Sequence, residues 1–388
     1  MATNSPPSSS QAASCCPGCG AQLTFSPTLG RLACAYCGQQ ASAVAVQGAV
    51  VEREFDHFAK ADPTTMAALA QNALEVACPG CGAEVSFCPP QVAGDCPFCA
   101  THIVAQPQAA NPVITPEGIL PFKIDAKAAG QRLSQWLKSR WFAPDGLKHL
   151  AQRQGLQGVY LPFWTYDCQT ATRYTGERGT YYYIDKTRRV KNNQGEWVQE
   201  TYQERHTRWH RVSGQVQRFF DDLLIPGGTS VNLEHLKRLT PWSLKQLTPY
   251  DPTFLTGFRA QRYQVDLNQG FEQAKQQMAV QIEADIRGDI GGDEQRISTQ
   301  STTYQDKSFK HLLLPVWIAA YRYQNRPYQV LINGESGKVV GERPFSKVKI
   351  ALAVGAAVVA IATLLYLLNA HNNNTPESLL PPISSPTA

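Results

Sequence analysis

The chain has 388 residues, a formal net charge of +5 and 17% charged residues, below the usual quarter. That length holds two or three domains, and 28 glycines with 26 prolines suit short elements, turns and linkers around one sizeable core. Eleven cysteines in a chain this long, with no export signal in view, argue against a disulfide framework.

Residues 1–14, MATNSPPSSSQAAS, carry neither a basic region nor an apolar run and read as a disordered leader. Two cysteine quartets follow: Cys16, Cys19, Cys34 and Cys37, then Cys78, Cys81, Cys96 and Cys99. Each reads C-P-x-C, fourteen residues, C-x-x-C, and the two copies are offset by 62 residues throughout. A tetrahedral zinc ion needs four thiolates, and two C-x-x-C knuckles joined by a short hairpin supply them. The spacing therefore predicts two zinc ribbons, residues 15–40 and 78–102, each holding one structural Zn2+. Leu23 and Phe25, echoed by Val85 and Phe87, alternate as strands should. Thioredoxin-like redox chemistry expects one C-x-x-C pair in a βαβ setting, and iron–sulfur ligation is the other competitor; two equal quartets favour zinc. Four thiolates leave no position for a catalytic water. By the internal alignment Cys88 matches Ser26, and Cys15 only precedes the first quartet, so neither is expected as a ligand; Cys168 is expected to be a buried thiol. Arg31 is the one charged residue of segment 16–37, and segment 78–99 has Glu84 and Asp95 but no Lys or Arg, so neither ribbon carries the footprint of a DNA reader.

Between the ribbons, residues 41–77 read as a helical spacer, with two short helices over 51–75 broken at Pro63. Residues 103–118 read as an Ala/Gln/Pro linker. From 119 to 345 the pattern predicts one α+β domain with antiparallel strands. Its helices are 126–142, a short one over LKHLAQRQ, and the long 268–287, with Phe271, Ala274, Met278 and Ile282 near one face. Its strands are GVYLPFWTYDCQTATRYTG, then GTYYYIDKTRRV, a turn at Asn193, Gln194 and Gly195, EWVQETYQERHTRWHRVSG, and a further strand or edge over 215–224. Leu161-Pro162-Phe163-Trp164 is echoed by Leu314-Pro315-Val316-Trp317, suggesting two related strand units. Proline there is expected at a strand start or sheet edge, not in a central strand.

Residues 123–211 hold sixteen Lys/Arg against eight Asp/Glu. Lys186, Arg188, Arg189, Lys191, Arg205, Arg208 and Arg211, interleaved with tyrosines and Trp209, form a candidate anionic-ligand surface for phosphates or anionic lipid. The plainer account is a solvated basic hairpin with its aromatics in the core. His206 and His210 lack a zincin glutamate and read as surface histidines. Asp221-Asp222 reads as an acidic loop or a helix cap. Gly334–Lys338 departs from G-x-x-x-x-G-K-[ST] and reads as a hairpin turn.

Ile350–Leu368 is nineteen uncharged residues, roughly 28 Å of helix, enough for one hydrocarbon core. Arg343, Lys347 and Lys349 precede it and no Lys or Arg follows. The reading is a single-pass helix in the cell membrane, the N-terminal region cytoplasmic, and a disordered tail over 369–388.

The paired CPGCG…C-x-x-C units, the LPFWTYD and LPVWIAAYRY strands and the terminal apolar helix together resemble uncharacterised bacterial membrane-anchored zinc-ribbon proteins. Some of these carry a label by analogy with the primosomal replication helicase, through the ribbon only. The resemblance implies ribbons, an anchor and no known activity. A helicase would need motor domains with a phosphate loop, and this sequence has none. The functional expectation is a membrane-anchored adaptor or scaffold at the cytoplasmic face that binds a protein partner without catalysis. The alternatives are nucleic-acid binding through 186–211 and an enzyme of unspecified class in the α+β domain.

Overall fold

A computed structural model describes residues 15–43, 48–59, 74–87, 93–104, 114–140, 155–323, 326–342 and 346–373. The leader, Cys88, most of the 103–118 linker, the LKHLAQRQ helix and the tail beyond 373 lie outside the described residues. In chain order the elements begin with β1 (Leu23–Ser26), β2 (Arg31–Cys34), β3 (Gln40–Ala43), β4 (Arg53–Glu54), α1 (Phe55–Phe58), β5 (Leu74–Ala77), β6 (Glu84–Phe87), β7 (Ala93–Asp95), β8 (His102–Val104) and β9 (Gly118–Ile119). There follow α2 (Ala126–Lys138), β10 (Gln157–Lys191), β11 (Trp197–Pro226), α3 (Leu233–Leu239), β12 (Thr248–Pro249) and β13 (Arg259–Ala260). The chain ends in α4 (Leu267–Ile290), β14 (Glu294–Tyr323), β15 (Arg326–Asn333), β16 (Val339–Gly341) and α5 (Lys347–Asn373).

The α+β domain is one mainly antiparallel sheet, ordered β11-β10-β14-β15-β16. Its strands are far longer than the sequence suggests. β10 is continuous over 35 residues, roughly 115 Å if fully extended, where the sequence pattern predicts two strands. β11 likewise absorbs the separate strand expected over 215–224. The predicted turn is present, closed by Asn192 Oδ1, which accepts from the Gln194 and Glu196 amides. The 41–77 spacer is corrected in part: α1 is a single turn, and Leu74–Ala77 is a strand paired with β6. Residues 60–73, including Pro63, lie outside the described residues.

Alternate residues of the strands bury two different faces. Tyr160, Trp164, Tyr166, Phe309, Trp317 and Tyr321 meet α2, α4 and the first cysteine module. Val159, Leu161, Phe163, Leu312, Leu314 and Val316 meet α3 and the second cysteine module. The two modules thus sit on opposite faces of one sheet.

The LPFW and LPVW echo is the centre of two strand units with matching geometry. Leu161 pairs directly with Leu314, antiparallel. Trp164 Nε1 donates to the Val265 carbonyl and Trp317 Nε1 to the Ile124 carbonyl, each at 2.9 Å. Both carbonyls belong to the residue before a helix-capping aspartate: Asp125 accepts from the Ala128 amide and Asp266 from the Gln269 amide. Gly334 O takes the Lys123 and Ile124 amides, and Gly227 O takes those of Gln264 and Val265. The halves exchange their leading strands: β9 pairs with β14 and β13 with β10, both parallel.

Pro162 and Pro315 correct the expectation for proline. Both lie in interior strands, β10 and β14. Each sits one residue before a flanking strand begins to pair, at Phe163↔Pro226 and Val316↔Asn333. The missing amide therefore costs no ladder bond, and the carbonyls of Pro162 and Pro315 accept from Gly227 and Gly334, both at 2.8 Å.

Candidate metal centres and the basic arm

The knuckles of the two cysteine modules share the same backbone hydrogen bonds. Cys16 and Cys78 amides donate to the Ala21 and Ala83 carbonyls, and Gly20 and Gly82 amides donate back to Cys16 and Cys78. In the second knuckle, Cys34 bonds to Gln39 O and Cys96 to Thr101 O, while Gly38 and Ala100 amides return to Cys34 and Cys96. These tight turns bring four Sγ atoms together in each module, all within 4.8 Å of one another. Individual Sγ–Sγ distances are 3.4 Å for Cys16–Cys37 and Cys19–Cys34, 3.5 Å for Cys78–Cys99 and 3.7 Å for Cys81–Cys96. A covalent S–S bond is about 2.05 Å. A tetrahedron of sulfurs about 2.3 Å from one ion has edges of roughly 3.8 Å. The geometry suits four ligands around a metal ion, and the described cysteines are free of disulfides.

The thiols do not shift together: Cys34 and Cys99 are lowered, while neighbouring sulfurs and burial raise Cys19, Cys37, Cys81 and Cys96. Amide hydrogen bonds from Cys37 and Tyr36 lower the Cys34 thiol to about 6. Gly80 N reaches Cys78 Sγ at 3.3 Å. The modules differ in exposure: Cys19 and Cys37 are exposed in the first, and Cys81 alone among the ligands of the second. Both are stitched to the sheet domain. Phe25 N donates to Thr256 O (2.9 Å), Val85 bridges to Gln261, and Gln264 Nε2 donates to Gly82 O (3.1 Å). Of the other cysteines, Cys15 is exposed and Cys168 is buried, with its thiol pushed up to about 11 by burial.

The seven basic candidates lie on the hairpin of β10 and β11, which the strand register divides between two faces. Lys186, Arg188 and Arg208 share the face of Tyr182, Tyr202 and His206. There Lys186 pairs with Glu204, and Arg188 with Glu200 at 2.8 Å. The Glu204 contact raises the Lys186 pKa and, reciprocally, lowers that of Glu204. Arg189, Lys191, Arg205 and Arg211 share the other face with Tyr181, Tyr183, Trp197 and Trp209. Arg205 stacks on Tyr181 (4.3 Å) and Lys191 lies over Trp197 (5.4 Å). The aromatics are not a core: Tyr183 and Trp197 are 59% and 66% exposed. His206 and His210 stand four residues apart on a strand, roughly 13 Å, too far to share an ion. Asp221-Asp222 is neither a loop nor a cap; it is a bulge in β11, with Asp222 at φ 50°. Gly334–Lys338 is the expected hairpin turn, with Asn333 Oδ1 accepting from the Glu335 and Ser336 amides.

A charged cluster that no sequence pattern marks lies where β4 crosses β14. Lys310 Nζ contacts Glu52 Oε1 at 2.8 Å and Asp222 Oδ1 at 2.6 Å. Buried Asp167 accepts from the Asp222 amide (2.6 Å) and from Ser308 Oγ (3.3 Å). Burial and contact with Glu52 push Asp167 up to about 6, while Glu52, sharing that proton, is held low. Beside it, Arg53 Nε meets Glu117 at 2.6 Å; burial outweighs that partner and raises Glu117 to about 7. His311 is fully buried and depressed to about 4, with Nδ1 2.8 Å from Ile114 O. These residues come from five distant segments, so only tertiary contact reveals them. They clamp the connection between the cysteine modules onto the sheet.

Helix α5 contains a span, Lys349–Leu368, long and apolar enough to cross a membrane, with mean hydropathy 2.5 and no part of it buried inside the protein. No family model matches the chain, and no solved structure matches it. It is 26% identical over 246 residues to an uncharacterized protein of Bacillus subtilis (strain 168), YdjG. The match covers 61% of this chain and 66% of that protein, just under two thirds of its length.

Proposed function

We propose that this chain is a single-pass membrane scaffold that holds two structural zinc ions and binds a protein partner at the cytoplasmic face without doing chemistry. The observation that carries the reading is the span Lys349–Leu368, whose Leu352, Val359, Leu365 and Tyr366 are 56% exposed or more. An apolar helix with no protein cover is stable in hydrocarbon and costly in water. Lys347 and Lys349 precede the span and no Lys or Arg follows it, which favours the α+β domain on the cytoplasmic side. Two four-thiolate sites support zinc as the ion and leave it a folding role, since the ligands fill its coordination sphere. The similarity to YdjG lends the proposal no activity.

Purification of the full chain in detergent, with quantitative mass spectrometry of what accompanies it, tests the proposal. A stoichiometric protein partner is expected. None at all, with two zinc ions retained and the fold intact, overturns the adaptor role. Nucleic-acid binding through 186–211 is the second reading, favoured by the seven basic residues there. It predicts salt-dependent binding lost on neutralising Arg188, Arg189 and Arg208. Their division between two faces, with four acidic residues interleaved at Asp185, Glu196, Glu200 and Glu204, favours it less.

A further inference from the structure

The sheet narrows beyond Gly179. β14 accompanies β10 as far as Gly179↔Glu294, whereas β10 and β11 stay paired out to Lys191↔Trp197. Residues 180–191 of β10 therefore have an edge with no strand beside it among the described residues. The first amide of that edge is already engaged: Tyr181 N donates to Asp293 Oδ2 at 2.7 Å. A carboxylate there stands where the carbonyl of a continuing strand would be. Amide direction alternates along a strand, so Tyr183, Asp185, Thr187, Arg189 and Lys191 turn their main-chain groups the same way as Tyr181.

Such an edge is a template for another strand, and soluble proteins guard it with charge. Here the guard is mainly basic. Residues 180–191 carry Lys186, Arg188, Arg189 and Lys191 against Asp185 alone. Lys186 and Arg188 have acidic partners on β11, while Arg189, Lys191 and the neighbouring Arg205 have none among the described residues. A second copy of this edge would bring like charges together. Phosphate would meet the charges but not the ladder of main-chain donors and acceptors, which only a polypeptide in strand conformation can match.

We propose that the open edge of residues 180–191 accepts an extended acidic segment of a protein partner, added as a strand in line with β14. This rests on the partner-binding reading above and says where and how that partner docks.

The probe is a fluorescein-labelled peptide, Val-Glu repeated four times, titrated against the full chain in detergent micelles by fluorescence anisotropy. Saturable binding that weakens with salt is expected. The same peptide N-methylated at alternate amides keeps its charge but cannot pair, and should bind at least tenfold more weakly. Tyr183→Pro removes an outward amide and leaves the β10–β11 ladder whole, so a similar loss is expected; the peptide comparison needs no change to the protein and stands if that variant misfolds. Arg189→Gln with Lys191→Gln should cut affinity about fivefold and flatten the salt dependence. Equal binding of both peptides, no binding, or preference for oligothymidine or phosphatidylserine vesicles over the peptide overturns the inference. If a partner still co-purifies with Tyr183→Pro at full stoichiometry, this docking site fails while the adaptor reading survives.

Discussion

Lys310→Met isolates the energetic role of the buried charge cluster. The methionine keeps most of the packing, and the lysine side chain is only 9% exposed. It removes the one cation that, among the described residues, stands between Glu52, Asp222 and Asp167. Breaking a fully buried ion pair costs about 3–5 kcal/mol. Glu52 and Asp222 are 43% and 33% exposed, so solvent screens part of that, and about 2–3 kcal/mol is expected at pH 8. The sign with pH follows from the raised Asp167. A carboxyl whose folded pKa, about 6, lies above its unfolded value stabilises the fold fully below the unfolded value, and that contribution is lost as pH rises through 6. Without the lysine the Asp167 and Glu52 carboxyls shift upward, so the penalty should shrink to about 1 kcal/mol at pH 5. The local readout is hydrogen exchange of the peptide covering Glu52–Phe58, with thermal melting for the whole chain. Faster exchange at pH 8 that recovers at pH 5 is expected. An equal effect at both pH values, or none, refutes the assignment of Lys310 as the charge that holds this strap.

Ala100 occupies a left-handed position, φ 56°, where the first module has Gly38 at φ 74°. Ala100→Gly should stabilise the second module by about 0.5–1 kcal/mol and Gly38→Ala should weaken the first by about 1 kcal/mol, read as resistance to metal extraction by a chelator. Cys81→Ser should lower the zinc content of the purified chain from two ions to one by elemental analysis, leaving the first module loaded. Trp317→Phe removes the indole bond to Ile124 O and should cost about 1–2 kcal/mol in denaturant unfolding, with Trp164→Phe comparable at the equivalent place.

The cysteine modules were legible because coordination chemistry fixes both residue type and spacing, and a 62-residue offset shared by every ligand leaves little freedom. α4 was legible because Phe271, Ala274, Met278 and Ile282 recur at helical spacing, and all four are buried in the structure. The length of β10 was not. Gly176 and Gly179 look like strand breaks, yet a Cβ on Gly176 would come 2.4 Å from Arg296 O. The glycine marks a close approach of backbones beside a bulge, not a turn. Local pattern also failed at Asp167, Asp222, Lys310 and Glu52. Nothing in the flanking sequence of any one of them specifies the others, and the bulges that bring Asp167 and Asp222 together are set by pairing between distant strands.

The matching geometry of the two strand units was visible only as four residues, and that geometry explains why. The capping aspartates Asp125 and Asp266 are 141 residues apart, but Trp164 and Trp317 are 153 apart, because the helices and the connections after them differ in length. No single offset aligns the halves. The exchange of β9 and β13 has a physical consequence: each half completes its sheet and its tryptophan hydrogen bond only with the other. Expressed as two polypeptides split between residues 250 and 251, neither half should bury its tryptophan alone. Together they should form a 1:1 complex with native Trp164 and Trp317 fluorescence. A second half that folds by itself, with Trp317 shielded from quencher, would show that the halves are neighbours rather than mutual completions.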